Sequence, residues 1–172
     1  TGNLYLSILL PSDSFIHKQA ELSFVAGLAV YDVIKTKAQK KQEIALKWPN
    51  DVMVNGSKIA GILLESVKIM DTHYLIIGIG INVYAHPEYL DKLTTSIRTM
   101  SGVQQDLGEI LDLTMSSFEH YYTLWYKKGF NFIRKLWLQK VYNPQETMIV
   151  SDGKNRISGV FQDRDSGGAI RL

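Results

Sequence analysis

Lys47-Trp48-Pro49-Asn50-Asp51-Val52-Met53-Val54-Asn55-Gly56-Ser57-Lys58-Ile59-Ala60-Gly61-Ile62-Leu63-Leu64-Glu65 decides the fold. Asn55-Gly56 between two apolar runs is the strongest short hairpin signal, because both residues tolerate the positive φ that a tight two-residue turn needs. It makes 51–54 and 58–65 adjacent antiparallel strands. Pro49 lacks a backbone donor and holds Trp48 extended. It therefore ends the strand 43–48 abruptly and projects Asn50 and Asp51 from its end.

Outward from this hairpin the chain alternates strand and helix. Upstream, Leu4–Leu10 is an apolar run closed by Pro11 and reads as a buried strand. Residues 16–37 read as a helix, with Ala20, Phe24, Leu28 and Ile34 at helical spacing and Lys35, Lys37, Lys40 and Lys41 at the C-terminal end. Downstream, 73–82 is an apolar strand ending in Gly78-Ile79-Gly80-Ile81-Asn82, and 84–105 reads as a loop broken by Pro87 and Gly102. Asp106 and Glu109 form a capping-box pattern. The helix they open carries Leu111, Met115, Phe118, Tyr122 and Trp125 on one face, and Gly129 separates it from a second helix over 130–141. From about residue 143, short strands over 147–150, 156–161 and 169–172 with tight turns predict a small β-module. The expected domains are therefore 1–142 and 143–172.

Composition narrows the function. Of 172 residues, 45% are hydrophobic and 21% charged, ordinary globular usage. A net charge of +2 gives no electrostatic footprint for nucleic acid. The absence of cysteine excludes disulfides, zinc–thiolate sites and thiol nucleophiles, and fits a cytoplasmic protein. No apolar run reaches the roughly 18 residues of a membrane span, so no membrane partner is expected. The chain starts with Thr1 just before a core strand, and residues upstream of it are expected.

Gly78-Ile79-Gly80 is not a dinucleotide fingerprint: the third glycine would fall at Val83, and the pair ends a strand instead of opening a helix. Alone, these glycines mark close backbone approach. His17, His73, His86 and His120 lack metal-ligand spacing. Asn55-Gly56-Ser57 fits a glycosylation acceptor but reads better as a turn. Asn50 offers both donor and acceptor, as an adenine edge requires, and Asp51 offers a carboxylate to a metal-bound phosphate or an incoming amine. A plain Pro-Asn-Asp turn is the competing reading. The hairpin folds Lys58 back beside Asp51, so both could share a pocket with Gly61, Gly78 and Gly80, whose missing side chains leave room for a ligand. A solvated turn lysine is the alternative for Lys58.

Three segments in order, Lys47-Trp48-Pro49-Asn50-Asp51, Lys58 to Glu65, and Gly78-Ile79-Gly80-Ile81-Asn82-Val83, resemble the biotin protein ligase family. Gly2-Asn3-Leu4-Tyr5-Leu6-Ser7 resembles the strand after that family's arginine–glycine loop, and Thr95-Ser96-Ile97 resembles its Thr-Ser-Leu element. Phe161, Asp165, Gly168, Ile170 and Leu172 resemble its C-terminal domain, so the likeness runs along the whole chain. It implies an α/β fold of the α+β type. That fold is a mixed sheet packed by helices, like lipoate ligases and class II aminoacyl-tRNA synthetases, followed by a small SH3-like β-barrel.

The resemblance also implies chemistry. Biotin attacks the α-phosphate of MgATP to give biotinyl-5′-adenylate and pyrophosphate. A lysine of the biotin carboxyl carrier protein of acetyl-CoA carboxylase then attacks the mixed anhydride. Lys58 matches the lysine that contacts the biotin carboxylate and α-phosphate, and Asp51 an aspartate linked with the acceptor lysine. Asn50 and Asn82 match residues near the adenine. Gly61, Ile62, Gly78 and Gly80 match positions of the biotin pocket. ATP, biotin and Mg²⁺ are thus the expected small molecules, with no metal ligand identified, and a homodimer is an expected assembly.

The family's arginine–glycine loop, its biotin-contacting Ser-Thr and Gln, and its adenine-stacking tryptophan have no counterpart in these residues. They are expected to precede Thr1, and the 172 residues alone are expected to lack normal activity. Two further readings stand beside the ligase. One is a bifunctional ligase and transcriptional repressor whose DNA-binding domain would lie upstream. The other is a non-catalytic biotin-binding homologue, against which Lys58 and Asp51 argue. A lipoate ligase is the nearest enzymatic rival.

Overall fold

The computed structural model describes residues 2–12, 17–87 and 93–142, and the backbone of strands at 147–151, 156–160, 163–164 and 170–171. The order is β1 (Leu4–Pro11), α1 (Glu21–Lys37), β2 (Ile44–Lys47), β3 (Asp51–Val54), β4 (Ser57–Ile69), β5 (Thr72–Ile81), α2 (Ile97–Ser101), α3 (Leu107–Lys128), α4 (Phe130–Leu138), β6 (Thr147–Ser151), β7 (Arg156–Val160), β8 (Asp163–Arg164) and β9 (Ile170–Arg171). β1 to β5 form one sheet in the order β1-β5-β4-β3-β2. Every ladder in it is antiparallel. The mixed sheet expected from the sequence is corrected accordingly: among the described residues parallel pairing is confined to two isolated bridges, Leu46 with Val141 and Lys58 with Thr94. Hairpin-length connections between β2, β3, β4 and β5 dictate antiparallel pairing, since a parallel neighbour needs a long crossover.

The sheet is two-faced. Along β5, Leu75, Ile77, Ile79 and Ile81 are buried while Ile76, Gly78 and Gly80 between them are not. This period-2 alternation turns one face to the core and frees the other. On β1, Leu4, Leu6, Ile8 and Leu10 point to the core side and Tyr5, Ser7 and Leu9 away from it. The helix against the core face is α1. It buries Leu22, Phe24, Val25, Leu28, Val30 and Ile34, residues spread around its circumference, because α3 and α4 cover its other side. Each of these large side chains contributes about 1.5–3 kcal/mol of burial. Phe24 meets Phe130 edge-on at 5.0 Å, closing α1 against α4.

Three polar contacts fix α3 antiparallel to α1. Trp125 Nε1 donates to Glu21 Oε2 (2.6 Å), Tyr121 Oη to Asp32 Oδ2 (2.7 Å), and Lys37 Nζ to Glu109 Oε1 (2.6 Å). Asp106 does cap α3, accepting from the Glu109 N–H. The Glu109 side chain, however, pairs with Lys37 instead of returning to Asp106.

Some boundaries and faces differ from expectation. The first helix begins at Glu21, and Ala20 is exposed. The helix expected over 130–141 stops at Leu138, and residues 140–142 lie along β2 instead: Leu46 N–H donates to Lys140 O and Tyr142 N–H to Leu46 O. The buried face of α3 is Ile110, Thr114, Phe118, Tyr121 and Trp125; Leu111 and Met115 are exposed. The loop after β5 contains the short helix α2, capped by Ser96 accepting from the Thr99 N–H and ended by Gly102 at φ 73°. In the C-terminal residues, β6 pairs with β7 and β8 with β9. Phe161, Asp165, Gly168 and Leu172 lie outside the described residues.

Candidate active site

The site grows from the hairpin 51–65. Asn55 and Gly56 take φ of 48° and 78°, as the tight turn requires, and Asn55 Oδ1 accepts from the Glu43 N–H. The turn before it, 48–50, contains a cis Trp48–Pro49 peptide. Asp51 does not project free of the sheet, as the sequence suggested. It is the first residue of β3 and pairs across to Lys47 on β2 and Gly61 on β4. Gly61 in turn faces Gly80 on β5, and Gly80 faces Tyr5 on β1. Tyr5, Gly80, Gly61 and Asp51 thus form one row across four strands on the open face. Ser7, Gly78 and Leu63 make the next.

Three glycines in those two rows leave a bare floor, over which lies a cavity of about 400 Å³. Its walls are Tyr5 and Ser7 from β1, Asn50 from the turn, and Lys58 and Leu63 from β4; Ile62 and Ile79 border it. The volume falls within the range of roughly 300–1,000 Å³ usual for small-molecule sites.

Lys58 reaches into this space along the strand. Its Nζ stands 2.5 Å from Asp51 Oδ1, with the Lys58 side chain 37% exposed and that of Asp51 16%. The approach is a charge contact without hydrogen-bond alignment at Oδ1. An ion pair at this exposure adds under about 1 kcal/mol to folding, so stability is a weak reason for it. Gly61 is what permits it: a Cβ there would lie 3.1 Å from Lys58 Nζ and 3.2 Å from Cε.

Asn50 is clasped to β4. Its Nδ2 donates to Ile62 O at 2.6 Å and its own carbonyl accepts from the Ile62 N–H at 2.9 Å. One amide donor is thereby committed, and the side-chain oxygen is left to accept. Asn82 lies outside the cavity lining and donates from Nδ2 to Thr95 O at 3.0 Å.

The structure therefore brings Asn50, Lys58, Gly61, Ile62, Gly78 and Gly80 to one cavity, places Asp51 against Lys58, and leaves Asn82 at its margin. Sequence reasoning assigned no site role to Tyr5 or Ser7. Their strand was read as a buried apolar run, whereas Tyr5 and Ser7 face outward, and their position opposite Gly80 and Gly78 depends on a pairing between strands some seventy residues apart in sequence. Among the described residues no three His, Asp or Glu side chains gather as a metal cage.

The sequence profile of the Biotin/lipoate A/B protein ligase family matches residues 1–82. A biotin–[acetyl-CoA-carboxylase] ligase of Paracoccus denitrificans is 33% identical, over 99% of this chain and 74% of its own length. The chain belongs to this family. Its fold is shared as well. The apo biotin protein ligase of Aquifex aeolicus superposes with a TM-score of 0.85 at 28% identity, over 98% of this chain and 74% of that one. The same enzyme in complex with biotin and ATP gives 0.84 at 27% identity, over 98% and 70%. The glycine-floored cavity with Lys58 thus lies in a chain of this family and fold.

Proposed function

We propose that this chain carries the catalytic centre of a biotin protein ligase. The enzyme joins biotin to AMP and then passes biotin to a lysine of the biotin carboxyl carrier protein of acetyl-CoA carboxylase. The observation that carries the reading is the Lys58 ammonium held over a glycine floor at the wall of a cavity of small-molecule size. The family membership and the biotin–ATP complex of the Aquifex relative support it.

In the first step a biotin carboxylate oxygen bonds to the α-phosphorus of ATP, and the bond to the bridging oxygen breaks to release pyrophosphate. Negative charge crowds the carboxylate and α-phosphate oxygens as they meet. A lysine ammonium aimed there stabilises the transition state by about 3 kcal/mol. The glycine floor, with Tyr5 and Ser7 as wall, takes the biotin body, and the free Asn50 oxygen is suited to accept from the adenine amino group. Magnesium fits as an ion carried by the nucleotide, since it is held largely by phosphate and water with one or two carboxylates, and Asp51 is the nearby candidate.

In the second step the acceptor lysine attacks the acyl carbon and AMP leaves. Free lysine has a pKa near about 10.4, so it must lose a proton first. With Lys58 drawn to the phosphate of the adenylate, Asp51 is free to accept that proton. The C-terminal ladders are the part proposed to close as an SH3-like barrel, with the domain boundary near residue 143. The setting is the cytoplasm, where ATP and the carrier meet; among the described residues no helix is long and apolar enough to cross a membrane.

The test supplies the full-length protein with MgATP and either biotin or lipoate, then with purified carrier. Biotin-dependent pyrophosphate release and a biotinylated carrier lysine are expected. Lipoate-dependent release in their place would assign the site to the other branch of the family.

A further inference from the structure

We infer that Lys47 is a recognition residue for the carrier protein and takes a carboxylate that flanks the acceptor lysine. The register places it. Lys47 pairs across to Asp51, Asp51 to Gly61, Gly61 to Gly80 and Gly80 to Tyr5. Directly opposed residues share a face, so Lys47 ends this row on the ligand side of the sheet, next outward from Asp51. Its charge is not used within the fold. Among the described residues the ion pairs are Lys37 with Glu109 and Lys58 with Asp51, so the carboxylate across from Lys47 already has its partner. The Lys47 ammonium rests over the ring of Tyr142, 5.7 Å from its centroid. Tyr142 is itself fixed: its N–H donates to Leu46 O at 2.8 Å, and Val141 before it bridges to Leu46. A ring face holds an ammonium in place without neutralising it, so a half-buried lysine keeps its charge on a fixed platform.

The reaction brings two kinds of anion to this end of the sheet. Lys58 lines the cavity and Lys47 does not, so the nucleotide phosphates belong with Lys58. The other source is the carrier. A folded protein cannot enter a cavity of about 400 Å³; its lysine goes in while the surface around that lysine stays at the rim. With Asp51 accepting the proton, the amine arrives at Asp51, and the carrier residues beside it come to Lys47 and Tyr142. The edge of β2 offers no free backbone at Leu46, whose N–H donates to Lys140 O and whose carbonyl accepts from the Tyr142 N–H. A partner strand cannot add there, so contact is made by side chains. An acceptor ammonium brought up to Lys58 and Lys47 is repelled by both. A carboxylate next to it on the carrier offsets that repulsion, and Lys47 is the cation placed to meet it.

This inference rests on the proposed function, and the experiment tells their failures apart. In the full-length enzyme, adenylate formation and transfer from preformed adenylate are measured for wild type, Lys47→Ala, Lys47→Arg and Lys47→Glu. Transfer is followed both to the carrier and to hydroxylamine, a small amine with no surface to dock. Lys47→Ala is expected to raise the half-saturating carrier concentration roughly three- to fivefold, the scale of one partly exposed ion pair. Lys47→Glu turns attraction into repulsion and should raise it roughly tenfold or more. Lys47→Arg, which keeps the charge, should stay within about twofold of wild type, as should adenylation, maximal transfer rate and transfer to hydroxylamine in every variant. Added salt should weaken carrier saturation more in wild type than in Lys47→Ala. Among the carrier carboxylates that flank the acceptor lysine, replacement by lysine at one of them should restore Lys47→Glu. Slowed adenylation with a raised KM for ATP would assign Lys47 to the phosphates. Equal losses toward carrier and hydroxylamine would assign it to the chemistry. An unchanged carrier requirement in Lys47→Glu, or no carrier carboxylate that restores it, would remove the partner. Each of these overturns the inference. A wild-type enzyme that makes no biotinyl-adenylate would overturn the proposed function itself.

Discussion

Gly61→Ala separates the site from the fold. The backbone of Gly61 lies in β4 without a positive φ, so alanine fits its conformation. Restricting the unfolded chain at such a position stabilises by about 0.4–1 kcal/mol, so the melting temperature should hold or rise slightly. The new methyl, however, would sit 3.1 Å from Lys58 Nζ and 3.2 Å from Cε, while Asp51 Oδ1 at 3.6 Å is in ordinary contact. The lysine tip is the flexible partner and must move. A shift of about 1 Å takes the ammonium off the geometry it needs over the reacting oxygens. A misplaced catalytic group costs up to about a hundredfold. Gly61→Ala should therefore slow adenylation by roughly ten- to a hundredfold. Single-turnover release of pyrophosphate, beside a thermal melt, reads both quantities. Adenylation within threefold of wild type, or a loss matched by unfolding, would refute the reasoning.

Two further outcomes follow from the same geometry. Asp51→Asn keeps shape and one acceptor but cannot take a proton, so transfer from preformed adenylate should slow more than adenylation, and raised pH should partly restore it. Adenylation falling at least as much as transfer would confine Asp51 to holding Lys58 or the nucleotide. Tyr121 is pushed well above the ordinary phenol range by burial first, and by its hydrogen bond to Asp32 and that carboxylate's charge. A pKa raised in the folded state contributes stability that is complete below about pH 10 and declines as pH climbs toward the folded value. Tyr121→Phe should cost about 1 kcal/mol at neutral pH and flatten the alkaline decline, read by urea melts at pH 7 and above pH 10.

The hairpin and the two glycines of β5 were legible in the sequence because their signals are local. Asn55-Gly56 specifies its own turn, and Pro49 ends its own strand. What escaped was set by pairing at a distance. Tyr5 and Ser7 become walls only because β1 lies beside β5. The backbone hydrogen bonds between Lys58 and both Leu93 and Thr95 join segments that share no sequence pattern. The face of α3 was right at Phe118 and Trp125 and misplaced by one position at Leu111 and Met115, because these two are as apolar as the residues that pack, and apolarity alone does not say which neighbour is present. The commitment of Asn82 to Thr95 was equally invisible, since an asparagine's spare donor has no signature until its partner arrives.

The measurement that bears most directly on the central claim is single-turnover adenylation by Lys58→Ala in the full-length enzyme, beside its melting temperature. The pair that Lys58 makes adds little to folding, so the melt should be nearly unchanged. A lost charge contact of about 3 kcal/mol on the developing oxygens corresponds to a fall of roughly two orders of magnitude in rate. A fall below about fivefold in a well-folded variant would contradict the account and make Lys58 a turn residue.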